Sequence, residues 1–176
     1  MRLFLAVWPD AATASVLESL PRPSCPGVRW TDSAHWHITL RFLGDASDAD
    51  ECLSAMDGLV MPPAPLVLLG PRTFLLNPTV LVLPATGLDA LAAAVRALPV
   101  GVSPGAWDPA DPRPFRGHLT LARGRRPGDL AGAAPAGRAL EAGFIPAQVA
   151  LVSSEREPQG GPNRYELVGA WPLPRP

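Results

Sequence analysis

The chain has 176 residues, a formal net charge of −1 and 47% apolar side chains. That is enough apolar material for one sizeable core, and it excludes extended disorder. The charge excludes a broadly basic surface that would coat nucleic acid non-specifically. All fifteen basic residues are arginine, and the three histidines are His35, His37 and His118.

Residues 2–8 (RLFLAVW) read as a buried strand. Six apolar residues closed by Pro9-Asp10 are too short a run for a secretory signal, and no run approaches a membrane span. The expectation is a soluble, cytoplasmic protein. Asp10 is placed as the N-cap of a helix reaching about Leu20, with Val16, Leu17 and Leu20 on one face. The Pro-rich segment 21–27 is a loop. Cys25 and Cys52 lack metal-ligand spacing, are too few for a disulfide framework, and are expected to be reduced.

Residues 36–43 (WHITLRFL) are rich in β-branched and aromatic side chains and end at Gly44, which predicts a strand. Ser47 is expected to cap a helix whose apolar stripe is Ala49, Cys52, Leu53, Met56, Leu59 and Val60. Pro62, Pro63 and Pro65 end it. Strands are expected around Leu66–Leu76, broken at Gly70-Pro71, and over Thr79–Leu83. Leu88, Leu91, Val95 and Leu98 carry a helical period over 87–98. An irregular stretch, 99–117, with five prolines and three glycines, leads into a short strand over 118–123. A weak, interrupted helix over 129–142 and two strands, about 147–154 and 164–171, close the chain. Strands and helices mixed without regular alternation predict an α+β fold with mostly antiparallel sheets.

The most informative feature is a repeat. His37-Ile38-Thr39-Leu40 and His118-Leu119-Thr120-Leu121 are 81 positions apart, close to half the chain. This predicts two structurally similar halves, which face one cleft if a pseudo-two-fold axis relates them. In a strand, alternate side chains share a face. His37 and Thr39 would then face the cleft while Ile38 and Leu40 pack inward, and His118 and Thr120 would do the same in the second half. Two imidazoles facing one cleft suit in-line displacement at phosphorus, one taking a proton from the nucleophile and the other giving one to the leaving oxygen. The threonine hydroxyls can donate to phosphate oxygens. With three histidines and no compact acidic cluster, neither a metal nor another cofactor is expected.

The extended motifs RWTDSAHWHITLRFLGD (29–45) and PFRGHLTLAR (114–123), with the opening RLFLAV and the closing VALVSSEREPQGGPNRYELVGAW (149–171), give the chain a close resemblance to a known group. It resembles the two-histidine (2H) phosphoesterases, and within them the RNA 2′,3′-cyclic phosphodiesterases, also called 2′-5′ RNA ligases. The resemblance implies a single bilobed α+β domain over 1–176, with two pseudo-symmetric halves whose mostly antiparallel sheets line a central cleft, and an enzyme that opens a terminal 2′,3′-cyclic phosphate on RNA to a 2′-phosphate. It implies His37 as proton donor and His118 as proton acceptor, although the motifs alone do not separate the two roles. It also implies an ATP-independent 2′-5′ ligation.

Arg123 matches a family arginine expected at the phosphate, and Phe115 matches an aromatic position suited to stacking on the terminal base. Arg41 is a second phosphate candidate, on the expectation that it shares a face with Thr39. His35 and Tyr165 are assigned to the scaffold. Two positions depart from the family pattern. Gly117 stands where proline is frequent, which predicts a looser approach to His118, and Trp36 stands where a smaller residue is common.

The expected partner is the 3′ end of an RNA, handled by a monomer. Alternatives are a related enzyme acting on small cyclic phosphates or 2′-5′ oligonucleotides, and a non-catalytic module that binds RNA ends.

Overall fold

The structure is a computed structural model that describes residues 2–45, 48–100, 114–133, 137–155 and 163–175. Ser47, most of the irregular stretch before His118, the middle of the 129–142 segment and most of the turn before the last strand lie outside the described residues.

The elements run β1 (Arg2–Val7), α1 (Ala11–Glu18), β2 (Val28–Trp30), a single 3-10 turn (Ser33–His35) and β3 (Ile38–Gly44). They continue with α2 (Ala49–Asp57), β4 (Val67–Leu69), β5 (Phe74–Asn77), β6 (Val80–Thr86) and α3 (Asp89–Arg96). The chain closes with β7 (His118–Gly124), α4 (Asp129–Ala133), β8 (Ala142–Phe144), β9 (Gln148–Glu155) and β10 (Arg164–Pro172). This is the expected α+β fold. Every recorded strand pair is antiparallel.

The helices form close to the expected apolar stripes, although Val16 is exposed and only Leu17 and Leu20 of the expected α1 face are buried. Asp10 caps α1 by accepting the Thr13 N–H at 2.8 Å, and Thr13 and Leu17 face the core. Asp48 caps α2 through the Asp50 N–H, and the helix stops at Gly58, so Val60 is exposed rather than on its stripe. In α3, Leu91, Ala92 and Val95 are buried. The segment expected as a weak last helix keeps only five residues of α4 and then supplies the short strand β8. Strand β2 has three residues, too few for any periodicity to show.

The strands line up as β10-β9-β1-β3-β7-β6-β4-β8, with β2 also on β7 and β5 also on β6. The middle of that order is symmetric. On one side β1 pairs with β3, and on the other β6 pairs with β7. Within each pair a helix follows the first strand, α1 after β1 and α3 after β6. The two histidine motifs meet at the centre, where Ile38 is opposite Leu119.

The symmetry extends to a defect. On β1, Leu5 faces Arg41 and Ala6 faces Thr39, so Leu40 is the extra residue of a bulge. On β6, Leu81 faces Ala122 and Val82 faces Thr120, so Leu121 is the extra residue in the second half. A bulge inserts one residue and reverses the alternation beyond it.

One sheet face packs with the helices into the main core, which includes Leu5, Ile38, Leu83, Leu91 and Leu119. The opposite face carries a small second cluster of Phe4, Ala6, Ala150 and Val152, with Trp8 and Tyr165 packed against it. Trp36 is buried in the main core, with the Arg22 guanidinium 4.8 Å over its ring.

Candidate active site

The functional side chains stand on the face opposite the main core. Ile38 and Leu40 are 0% and 2% exposed and Leu119 and Leu121 are 0% and 2%, so both apolar positions of each motif anchor their strand. His37, Thr39, His118 and Thr120 are half-buried on the other side. The alternation predicted from the two tetrapeptides places all four on one face.

Both imidazoles are held in the same way. His37 Nδ1 is 2.7 Å from the His35 carbonyl oxygen, and His118 Nδ1 is 2.8 Å from the Arg116 carbonyl oxygen. A carbonyl only accepts, so each Nδ1 carries the proton and donates it. Each Nε2 is therefore the nitrogen left to exchange protons. The backbone two residues upstream thus selects the tautomer in both halves. His35 contributes through its carbonyl, at the end of the 3-10 turn that brings the chain from β2 to β3.

The surroundings of His37 are aromatic. Its ring stacks on Phe4 with centroids 5.0 Å apart, lies 5.2 Å from the Trp8 ring, and meets Tyr165 edge-on at 5.5 Å. Tyr165 also meets His35 edge-on at 4.9 Å. Burial among these rings pushes the His37 pKa down from 6.5 to about 4. The hydrogen bond to the His35 carbonyl works in the opposite direction, and the charges of His35, Arg123 and His118 add to the lowering. His37 is therefore neutral at pH 7, with a lone pair on Nε2.

Those electrostatic influences also locate Arg123, whose charge acts on both His37 and the Tyr165 phenol. The bulge at Leu121 turns Arg123 back to the histidine face, because it moves every later residue of β7 by one step. His37, His118, Thr39, Thr120 and Arg123 therefore gather on one face.

Arg41 is a correction. The bulge at Leu40 turns it into the core, where it is 1% exposed. Its guanidinium donates to the carbonyls of Val95, Leu98 and Val100 at 3.1, 2.8 and 3.3 Å. These are groups at and just beyond the C-terminus of α3, which helical bonding leaves unsatisfied and where a cation is favoured.

Phe115 packs against the main core, with the Arg96 guanidinium 5.6 Å over its ring, so that part of the ring is already covered. Gly117 is not loose. Its carbonyl accepts the Ala85 N–H at 2.9 Å, and a Cβ there would lie 2.6 Å from the Ala85 carbonyl oxygen.

Sequence reasoning missed two contributors. Arg29 lies directly opposite Arg123 on β2, and its charge also reaches the Tyr165 phenol. Tyr165, assigned to the scaffold, touches the rings of both His35 and His37. Beyond Tyr165 a cavity of about 440 Å³ opens, bounded by Trp8, Asp10, Gln148 and Leu167 among others.

A family model described as LigT like phosphoesterase matches residues 8–82, which contain the first histidine motif. No curated protein sequence matches. The solved structure of TT0787 of Thermus thermophilus is similar at 27% identity, with a TM-score of 0.70 over 99% of both chains. That of E. coli LigT complexed with 3′-AMP is similar at 25% identity, with a TM-score of 0.67 over 98% of this chain and 97% of that one. E. coli LigT complexed with phosphate shares the fold at 23% identity, with a TM-score of 0.69 over 99% and 98%. Among the described residues no helix is long and apolar enough to cross a membrane. With paired histidine motifs on one face of an antiparallel sheet, a family match over the first motif and solved structures alike over nearly the whole chain, the chain is similar in sequence and fold to the LigT-like phosphoesterases.

Proposed function

We propose that this protein is a phosphodiesterase that opens the 2′,3′-cyclic phosphate at an RNA 3′ end to a 2′-phosphate. One observation carries the reading: two imidazoles at the start of adjacent strands are held by the same Nδ1–H to carbonyl bond, leaving the Nε2 of each to exchange protons. The chemistry needs one proton taken and one given. Water attacks phosphorus as the bond from phosphorus to O3′ breaks. His118 takes the proton from water and His37 delivers one to O3′. Thr39, Thr120 and Arg123 bind the non-bridging oxygens, where charge accumulates.

A neutral His37 does not start as an acid. The phosphate anion supplies the opposite charge that raises its pKa, so the donor proton is taken up as substrate docks. An RNA 5′-hydroxyl in place of water, attacking the same phosphorus, forms a 2′-5′ linkage without ATP. The cavity beside Tyr165 falls within the range of small-ligand sites and leaves room for nucleoside groups next to the histidines. LigT complexed with 3′-AMP supports a nucleotide as ligand. The protein acts as a cytoplasmic monomer in this reading.

The test is turnover of cytidine 2′,3′-cyclic phosphate and of a short RNA ending in a cyclic phosphate, in EDTA, with the position of the product phosphate determined. The RNA should be opened to its 2′-phosphate, and His37→Ala and His118→Ala should each lower kcat by roughly 10² to 10⁴-fold. Turnover of neither substrate overturns the reading. Turnover of the mononucleotide alone moves it to small cyclic phosphates.

A further inference from the structure

The short strand β2 brings a second arginine to the site. Arg29 is the antiparallel partner of Arg123, between the pairs Val28 with Gly124 and Trp30 with Ala122. Directly opposed residues leave the sheet on the same face, from Cα atoms about 5 Å apart. The flanking residues show which face that is. Val28 and Trp30 pack against the main core, so Arg29 points the other way. An independent observation agrees: Arg29 and Arg123 both draw down the Tyr165 phenol, against the burial that raises it.

Two cations in register on neighbouring strands repel, and such a pair weakens the strand contact it sits on. In a chain with no lysine and a net charge of −1, that is a notable local concentration of positive charge. The terminal phosphate already has two imidazoles, two hydroxyls and Arg123 around it. Arg29 lies beside Arg123 on β2, which pairs with β7 along the same edge as β3 but further along the strand from His118. A guanidinium is also the side chain best shaped to grip phosphate oxygens.

We propose that Arg29 binds the phosphodiester on the 5′ side of the terminal nucleotide, so that the site takes an RNA strand of two or more nucleotides in preference to a cyclic mononucleotide. This rests on the cyclic-phosphate reading above and adds the substrate class.

The experiment compares kcat/KM for cytidine 2′,3′-cyclic phosphate with that for a dinucleotide ending in the same cyclic phosphate, in the wild type and in Arg29→Gln. The wild type should favour the dinucleotide. In Arg29→Gln the ratio of the two values should fall about tenfold, carried by KM. Raising salt should reduce the wild-type ratio and change that of Arg29→Gln less. A ratio unchanged by the substitution overturns the proposal, including the case in which both substrates lose equally. If the wild type turns over neither substrate, the cyclic-phosphate reading fails by itself, and Arg29 is judged by affinity. Cytidine 2′-phosphate and the dinucleotide ending in a 2′-phosphate are then titrated into both proteins. Selective weakening of the dinucleotide upholds the second phosphate contact, and equal or no weakening rejects it.

Discussion

Arg41 and Ala122 stand at the same step of two bulged strands, four residues after His37 and His118, and both point into the core at 1% and 0% exposure. The repeat thus places a guanidinium and a methyl in equivalent buried positions. The arginine is tolerated because carbonyls around the end of α3 receive it. Arg41→Met should destabilise the protein by about 3 kcal/mol, because it leaves buried acceptors without their donor. That corresponds to a Tm lowered by roughly 6–12 °C for a chain of this size. Thermal unfolding checks it, alongside turnover measured well below the new Tm. A fall in turnover at unchanged Tm would return Arg41 to the phosphate.

This contrast shows what period-2 reasoning reads and what it does not. The alternation through His37-Ile38-Thr39-Leu40 puts its imidazole and hydroxyl on one face because those four residues precede the bulge. Arg41 follows it, and an inserted residue leaves no mark in a run of apolar and branched side chains. The same defect in β7 keeps Arg123 with the histidines, although strict alternation from His118 would have turned it away. Its family match, rather than the period, therefore pointed to that face. Arg29 was hidden for another reason: three residues are too short to carry a pattern, and its position depends on a long-range pairing with β7. Tyr165 reads as an ordinary aromatic in a strand. Only the register of β10 on β9, and of β9 on β1, brings it to His37.

The aromatic enclosure of His37 has a consequence for stability. The folded protein holds this imidazole at about 4, whereas in the unfolded chain it takes a proton near 6.5. Between these values the unfolded state binds more protons, so stability falls as pH drops from about 6.5 to 4 and is fully present above that window. The loss is on the order of 2 kcal/mol for a half-buried group. Chemical denaturation at pH 7.5 and 4.5 measures it, with His37→Asn as reference. The variant should lose less stability over the interval than the wild type. Equal losses would place the titration elsewhere.

Anion binding should reverse that shift. Sulfate keeps its charge across this pH range and mimics the phosphate, and in the site it would lie against Arg123, His118 and His37. Its negative charge should move the His37 midpoint well above 4, toward or beyond the ordinary histidine value, with about one proton taken up per sulfate bound near pH 6. Imidazole resonances followed by NMR through a pH titration, with and without saturating sulfate, report this directly. A midpoint that stays near 4 in the complex would leave His37 neutral, and the proton-donor role would pass to His118.

Gly117 links the packing of the second half to its chemistry. The residue carries no left-handed backbone, so its requirement is one of space: a Cβ would lie 2.6 Å from the Ala85 carbonyl oxygen and 3.1 Å from the Phe115 ring. Relief has to come from the backbone, since the nearer obstacle is backbone and is tied to the same segment by the bond from the Ala85 N–H to the Gly117 carbonyl. Residues 116–118 would move away from β6 together. The Arg116 carbonyl that holds His118 Nδ1 lies in that segment, so the imidazole would lose its alignment with the phosphorus. Displacements of about 1 Å at a catalytic group can lower turnover roughly 10²-fold. Gly117→Ala should therefore reduce kcat/KM by about that factor, together with a lower Tm. Gly58→Ala serves as the control, because a Cβ there meets nothing closer than 3.8 Å and the position caps α2 without a positive φ. It should keep turnover, and wild-type turnover in Gly117→Ala would show that β6 does not position His118.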